Sequence, residues 1–247
     1  MDANVYRQYA ASFEDHWWTN HRRKIFARWL SLAGVSPGEG RSVLEIGPGA
    51  GTEHAWLSSY GPVTGVELSP VGLEFCATRG YAQLIHGDLN TVELPQQSFD
   101  MAVDFHVLYH SWVKDPAHVL AKMRASLKPG GWLLLTEPAH EYLRRGHDVA
   151  VMAKRRWSRK DLLALVRSQG FDVVECSAFL SLLLPIVWIS LIADRFRHEE
   201  EVSELAPPSR IADRILRVVM WFERALMGLF PLPTGTCWAV LARRRED

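Results

Sequence analysis

The chain has no excess of charge of either sign: 28 Lys and Arg stand against 28 Asp and Glu across 247 residues. A balanced chain offers no global field for a polyanion, so no nucleic-acid partner is expected. Cysteine is scarce as well. Cys76, Cys176 and Cys237 are odd in number, far apart and without a C-x-x-C pair, which argues against a disulfide framework or a metal site and fits a reducing cytoplasm. Repeats and low-complexity tracts are absent. Residues Cys176 to Ala193 carry no charge over 18 positions, the lower limit for crossing a bilayer. Their first residues read as the end of a strand and Pro185 interrupts the rest, so no transmembrane helix is expected. Asp2, Arg7, Glu14 and Asp15 precede any apolar run, so no signal peptide is expected either.

What is present is alternation. Apolar strand candidates recur at 42–47, 63–68, 82–88, 101–106, 131–137 and 172–179, each followed by a helical stretch, and a last candidate occupies 236–244. Several are unbroken apolar runs, as strands covered on both faces are. Ser69-Pro70 and Asp115-Pro116 place a capping side chain before a proline that opens a helix, and the KPGG at 128–131 reads as a helix stop. The pattern predicts a doubly wound α/β domain spanning 1–247: an N-terminal helical cover (1–35), a core (40–179), a helical insertion (180–235) and a last strand with tail (236–247). About 55 residues before that last strand are more than a hairpin requires.

The stretch VLEIGPGAGT, Val43 to Thr52, places Gly47, Gly49 and Gly51 behind the acidic Glu45. A glycine loop between a strand and a helix suits close backbone approach to a nucleotide-like ligand. A dinucleotide fingerprint needs glycine or alanine where Thr52 stands, so the pyrophosphate reading weakens and S-adenosylmethionine becomes the alternative. Glu67, ending the second strand candidate, can accept from two adjacent ribose hydroxyls, and Asp88, ending the third, can accept from an adenine amine. Each of these residues also has a plainer reading, a tight turn for the glycines and a helix cap for the acids; their joint position at successive strand ends favours one adenosine lying across the sheet edge.

The motifs ExGxGxG (Glu45 to Gly51), GVELSP (65–70), GDLN (87–90), SFDMAVDFHVLYH (98–110) and LKPGGWLLLTEP (127–138) resemble those of class I S-adenosylmethionine-dependent methyltransferases, in order and spacing, across roughly residues 40–180 and the last strand. The resemblance implies a Rossmann-like seven-stranded sheet with its last strand antiparallel. It places Gly47, Gly49 and Gly51 at the methionine end of the cofactor, Glu67 at the ribose, Asp88 and Leu89 at the adenine, and Phe105 and His106 on the sulfonium side. Glu45, Leu68 and Trp17 complete the implied S-adenosylmethionine-binding set. Members of the quinone-pathway branch carry an acidic residue before the histidine that follows the fourth strand, where it can serve a metal; Tyr109 stands there in this chain, and no metal is expected.

Methyl transfer is an in-line displacement at carbon, so alignment and water exclusion are the main tasks and a base is optional. For a hydroxyl acceptor the candidate bases are His106, His110 and His140, near the carboxyl edge of the sheet; the plainer reading of each is a packed or solvent-facing side chain. The segment HWWTNHRR (16–23) resembles the entry segment of bacterial glycan- and lipid-modifying methyltransferases, where a helix closes over the cofactor; Tyr6, Tyr9, Phe13 and Trp17 would then shield the methyl group, or the tryptophans simply dock the helix. The run 211–230 is amphipathic. With 180–193 it makes a hydrophobic insertion readable as a lid over a lipophilic substrate, a peripheral membrane contact or a homodimer interface. A basic cluster (Arg144, Arg145, Lys154, Arg155, Arg156, Arg159, Lys160) suits an anionic small-molecule substrate or lipid surface, or is a solvated helical face. Two readings follow: a cytoplasmic enzyme, peripheral to the membrane if that face is used, that O-methylates a small lipophilic or lipid- or glycan-linked acceptor, or a non-catalytic nucleotide-binding module acting on a partner protein through its insertion. The intact glycine loop and acids favour the enzyme.

Overall fold

The computed structural model describes residue 7 and residues 15–194 and 209–246. The elements run α1 (Trp17–Leu32), β1 (Val43–Ile46), α2 (His54–Leu57), β2 (Val63–Glu67), α3 (Pro70–Ala77), β3 (Gln83–His86), β4 (Phe99–Phe105), α4 (Pro116–Ser126), β5 (Leu127–Pro138), α5 (Gly146–Ala150), α6 (Arg159–Ser168), β6 (Phe171–Phe179), α7 (Leu184–Asp194), α8 (Arg210–Met227) and β7 (Cys237–Arg244). The strands form one seven-stranded sheet of order β3-β2-β1-β4-β5-β7-β6. β7 pairs antiparallel with both β5 and β6, while the pairs among β1 to β5 are parallel. This is the sheet that the alternating pattern and the resemblance predict.

The local chemistry explains the elements. Ser69 and Asp115 cap α3 and α4 by accepting from the amides of Gly72 and Ala117, each with proline in the first turn, where its missing N–H costs nothing. Pro185 does the same for α7, so it begins that helix rather than interrupting it. β1 and β2 are buried throughout because both sheet faces are covered. Successive side chains alternate between them: Leu44, Ile46, Ala102 and Leu133 pack beneath α4 and α6, while Val43, Val63, Met101 and Leu134 pack against Ile25, Phe26 and Leu30 of α1 and Met220 of α8. The switch in strand order lies between β2-β1 and β4, so the loops after these strands open one crevice.

The insertion is fastened to the cover by a buried carboxylate. Glu223 of α8, fully buried, accepts from His21 Nε2 of α1 (2.8 Å) and from the backbone amides of Leu180 (2.7 Å) and Leu182 (2.9 Å). Arg224 Nη1 lies 2.9 Å from His21 Nδ1; a guanidinium only donates, so Nδ1 accepts and the proton of the neutral ring sits on Nε2. Burial holds the His21 pKa below its ordinary value. Glu223→Ala strands these donors and is expected to destabilise the fold by about 3 kcal/mol in denaturant titration, against a smaller loss for Glu223→Gln; equal, small losses would show that the hub carries no stability.

Candidate active site

The loop after β1 holds three left-handed glycines: Gly47, Gly49 and Gly51 have φ of 58°, 59° and 69°. A Cβ at Gly47 would stand 2.7 Å from Val107 Cγ2, so this glycine answers both a backbone and a space requirement. The loop is tied to β2 through Glu67, whose Oε2 accepts from Gly49 N (2.9 Å) and Oε1 from Ser69 N (2.8 Å). Behind it Glu45 is buried, with Tyr81 Oη donating to its Oε2 at 2.7 Å. Gly72, which the sequence pattern left unmarked, is required here: a Cβ would meet Glu67 Cγ at 2.9 Å and Gly49 O at 3.0 Å.

The cover closes onto the same loop. Arg22 and Arg23 of α1 both pair with Glu53, Arg23 Nε at 2.6 Å, and Arg23 also donates to the carbonyl of Thr52. The Arg22 guanidinium lies 4.6 Å from the ring centre of Trp18 and 4.3 Å from that of Phe105. The result is a cavity of about 420 Å³ whose wall includes Glu45, Gly47, Gly49, Glu67, Leu68, Leu89, Phe105, His106 and His110, together with Trp18 and Arg22. Backbone brought close by left-handed glycines, two acids beside them and the apolar Leu89 suit the amino-acid end, ribose and base of S-adenosylmethionine.

Comparison with known proteins agrees. Residues 44–135 match the model of the methyltransferase domain family. That match supports a class I S-adenosylmethionine-dependent methyltransferase. A probable S-adenosylmethionine-dependent methyltransferase of Mycolicibacterium smegmatis is 27% identical over 174 residues, covering 66% of this chain and 62% of that one. An uncharacterised 37.1 kDa protein of a Streptomyces fradiae transposon is 34% identical over 128 residues, 49% of this chain and 36% of that one. The chain thus spans 62% and 36% of the length of these two relatives. The crystal structure of an S-adenosylmethionine-dependent methyltransferase from Mesorhizobium loti shares the fold, with a TM-score of 0.58, 20% identity and coverage of 88% and 98%. S-adenosylmethionine is the cofactor.

Several of the predicted site residues stand outside the cavity wall. Trp17 packs on the apolar cluster under α1 and its neighbour Trp18 faces the cavity, since consecutive helical side chains point about 100° apart. Asp88 is outside the cavity wall; its Oδ1 accepts from Asn90 N at 2.8 Å, and Asn90 in turn holds the loop after β4 through Trp112 O and Lys114 N. Gly51 supports the wall without lining it. His140 is also outside, with Nε2 3.1 Å from Thr234 Oγ1 and its ring stacked on Tyr142. Tyr6, Tyr9 and Phe13 lie outside the described residues. Among the described residues no three His, Cys, Asp or Glu side chains converge on a metal position.

His106 and His110 line the cavity in different settings. His106, left-handed at φ 64°, packs on Trp18 with ring centres 5.2 Å apart. His110 stacks on Trp112 at 3.8 Å and places Nδ1 2.9 Å from Val151 O; because a carbonyl only accepts, the proton is on Nδ1 and Nε2 keeps its lone pair. Burial pushes the His110 pKa down to about 3, which makes it a weak base. Beneath the loop that carries both, Asp104 accepts from Val107 N (3.0 Å) and Glu137 from Leu108 N (3.0 Å) and Trp157 Nε1 (3.0 Å). Burial holds both carboxyls above the usual range.

Replacing Gly47 by Ala adds left-handed strain and a clash with Val107, roughly 1–3 kcal/mol, and should weaken S-adenosylhomocysteine binding by about tenfold or more in calorimetry. Retention of full affinity would show that the loop does not need this geometry. Burial also pushes the Glu45 carboxyl up to about 8 from an ordinary 4.5. The folded chain then keeps a proton that the unfolded chain releases, so this contribution to stability is complete below pH 4.5 and is lost as pH rises through about 8. Melting curves of the ligand-free protein across that window should fall more steeply than those of Glu45→Gln; parallel curves would place Glu45 in an ordinary environment.

Proposed function

We propose that the protein transfers the methyl group of S-adenosylmethionine to a small lipophilic acceptor, at an oxygen, within the 420 Å³ cavity. The observation that carries this reading is the continuity of the wall from the glycine loop and its acids to Tyr109, Trp112, Leu143, Val151, Leu180 and Val187. Those apolar side chains take up an acceptor body and exclude water. The cofactor supplies an electrophilic methyl on a sulfonium. The chain's own contribution is alignment: Glu45 and Glu67 hold the cofactor end, and the loop 105–110 sets the acceptor beside it. His106 and His110 are the candidate groups to receive a hydroxyl proton, His106 the better because His110 is so weakly basic; His140, outside the wall, drops from that role. The insertion acts as a lid, since Leu180 and Val187 belong to the cavity wall.

Purified protein and methyl-labelled S-adenosylmethionine, added to fractionated extract, should place label in the organic-extractable small molecules. Label in protein or RNA alone overturns the acceptor class, and binding of NADH without S-adenosylhomocysteine overturns the cofactor reading for this chain.

The outer face of the insertion supports a peripheral membrane contact. No described helix is long and apolar enough to cross a bilayer, yet Ile211, Ile215, Val218 and Phe222 of α8 recur on one face and stand exposed beside Trp221, as do Ile186, Trp188, Ile189 and Ile192 of α7. Arg210 and Arg214, exposed on the flank of that face, match anionic headgroups. Vesicles containing phosphatidylglycerol should co-sediment with the protein and lose it on Trp221→Ser with Phe222→Ser. A concentration-dependent dimer with no vesicle binding would instead assign the face to a second copy.

A further inference from the structure

His110 stands in the cavity wall with both faces of its ring covered. Tyr109 lies 4.0 Å from it and Trp112 3.8 Å, centre to centre, with interplanar angles of 33° and 20°. Two rings so close cannot share one face of an imidazole, so they enclose it, and only its edge can meet a ligand. One edge nitrogen is taken, Nδ1 donating to Val151 O at 2.9 Å. The other, Nε2, meets no donor among the described residues and is not sealed in the packing. On a side chain that is 5% exposed, it therefore opens on the cavity that His110 lines. The aromatic wall continues from Tyr109 to His106 (6.1 Å between ring centres) and on to Trp18 (5.2 Å). All five residues line the cavity, so a band of rings carries one lone pair of fixed direction.

We propose that the methyl acceptor is an aromatic hydroxyl compound, a phenol, whose ring packs on this band and whose O–H donates to His110 Nε2. The proposal rests on the methyl-transfer reading and names the acceptor class within it. In the tautomer that Val151 O imposes, Nε2 can only accept. It takes an O–H donor and leaves an ether, a ketone or a carboxylate at that position facing a lone pair, which is how a site rejects a near-isostere that lacks the donor. The flat wall adds a second selection: an aromatic ring gains stacking and edge contacts that a saturated ring of equal size does not. Basicity agrees with both. Burial makes His110 a weak base, which serves to orient the hydroxyl of a phenol, with an ordinary pKa of about 10, and gives little help to an aliphatic alcohol, a far weaker acid. In the transfer the C–O bond forms as the S–C bond breaks. The hydroxyl proton leaves along the Nε2 hydrogen bond to water, so the positive charge lost at sulfur departs as that proton.

The test uses the full chain saturated with S-adenosylhomocysteine and four probes of one shape, 4-propylphenol, 4-propylaniline, 1-fluoro-4-propylbenzene and 4-propylcyclohexanol, titrated by ligand-observed NMR. The phenol should bind about tenfold more tightly than the fluoro compound, although the latter is the more lipophilic, and about threefold or more tightly than the cyclohexanol. His110→Phe keeps a ring in the stack and removes the lone pair. It should cancel the advantage over the fluoro compound and keep the advantage over the cyclohexanol; Trp112→Leu should do the reverse, with S-adenosylhomocysteine affinity unchanged in both. The wild-type comparison decides the acceptor class even if a variant fails to fold. No binding of any probe, a phenol that binds no better than the fluoro compound, the cyclohexanol or the aniline, or advantages that survive both substitutions overturn the proposal. Failure of the wild-type protein to bind S-adenosylhomocysteine is a different result, which removes the methyl-transfer reading itself.

Discussion

The carboxylate of Glu67 joins the two loops on which the site is built. By accepting from Gly49 and Ser69 at once, it locks the glycine loop after β1 to the turn after β2, and only a residue without a Cβ at position 72 leaves room for it. Around that joint lie the Ser69 cap of α3, the left-handed Gly47, Gly49 and Gly51 and the Tyr81 hydroxyl donating to Glu45. Buried polar groups of this kind are stable only when every partner is present, and here the partners are mostly backbone amides. The loop therefore holds its shape through geometry that the strands impose.

Around this joint the chain uses two further carboxylates as fasteners. Glu53 receives Arg22 and Arg23 from the N-terminal helix, and Glu223 receives His21 of the same helix together with two amides of the loop after β6. One short helix is thereby held on one side by the cofactor loop and on the other by the insertion. The insertion and the glycine loop thus share a structural member in this helix, and the same helix brings Arg22 between Trp18 and Phe105 at the cavity wall.

Much of the fold was legible in order along the chain. Every strand candidate became a strand within a few residues, because unbroken apolar runs bounded by turn residues have few other ways to be buried. Ser69 and Asp115 capped helices as their side chains allow. Gly47, Gly49, Glu45, Glu67, Leu68, Leu89 and Phe105 meet at one cavity, as glycine-loop and strand-end positions bring them to the same sheet edge. Asp88 makes a turn with Asn90 and stands outside the cavity wall, and of two adjacent tryptophans it is Trp18 that lines it, a choice that carries no local mark.

The chain order alone was enough for the class of sheet and for a glycine loop with acids at successive strand ends, which depend on residues within one strand-loop-helix unit and on the period of burial; the identity of the ligand came from the resemblance. Only packing decided which of the three histidines meet the cavity, that Arg22 and Arg23 serve Glu53, and that Glu223 anchors a helix some 200 positions away. The reason is physical: a local pattern states how a segment folds, whereas pairing of charges and burial of an imidazole depend on which distant segments are brought within a few ångströms, and only packing determines that.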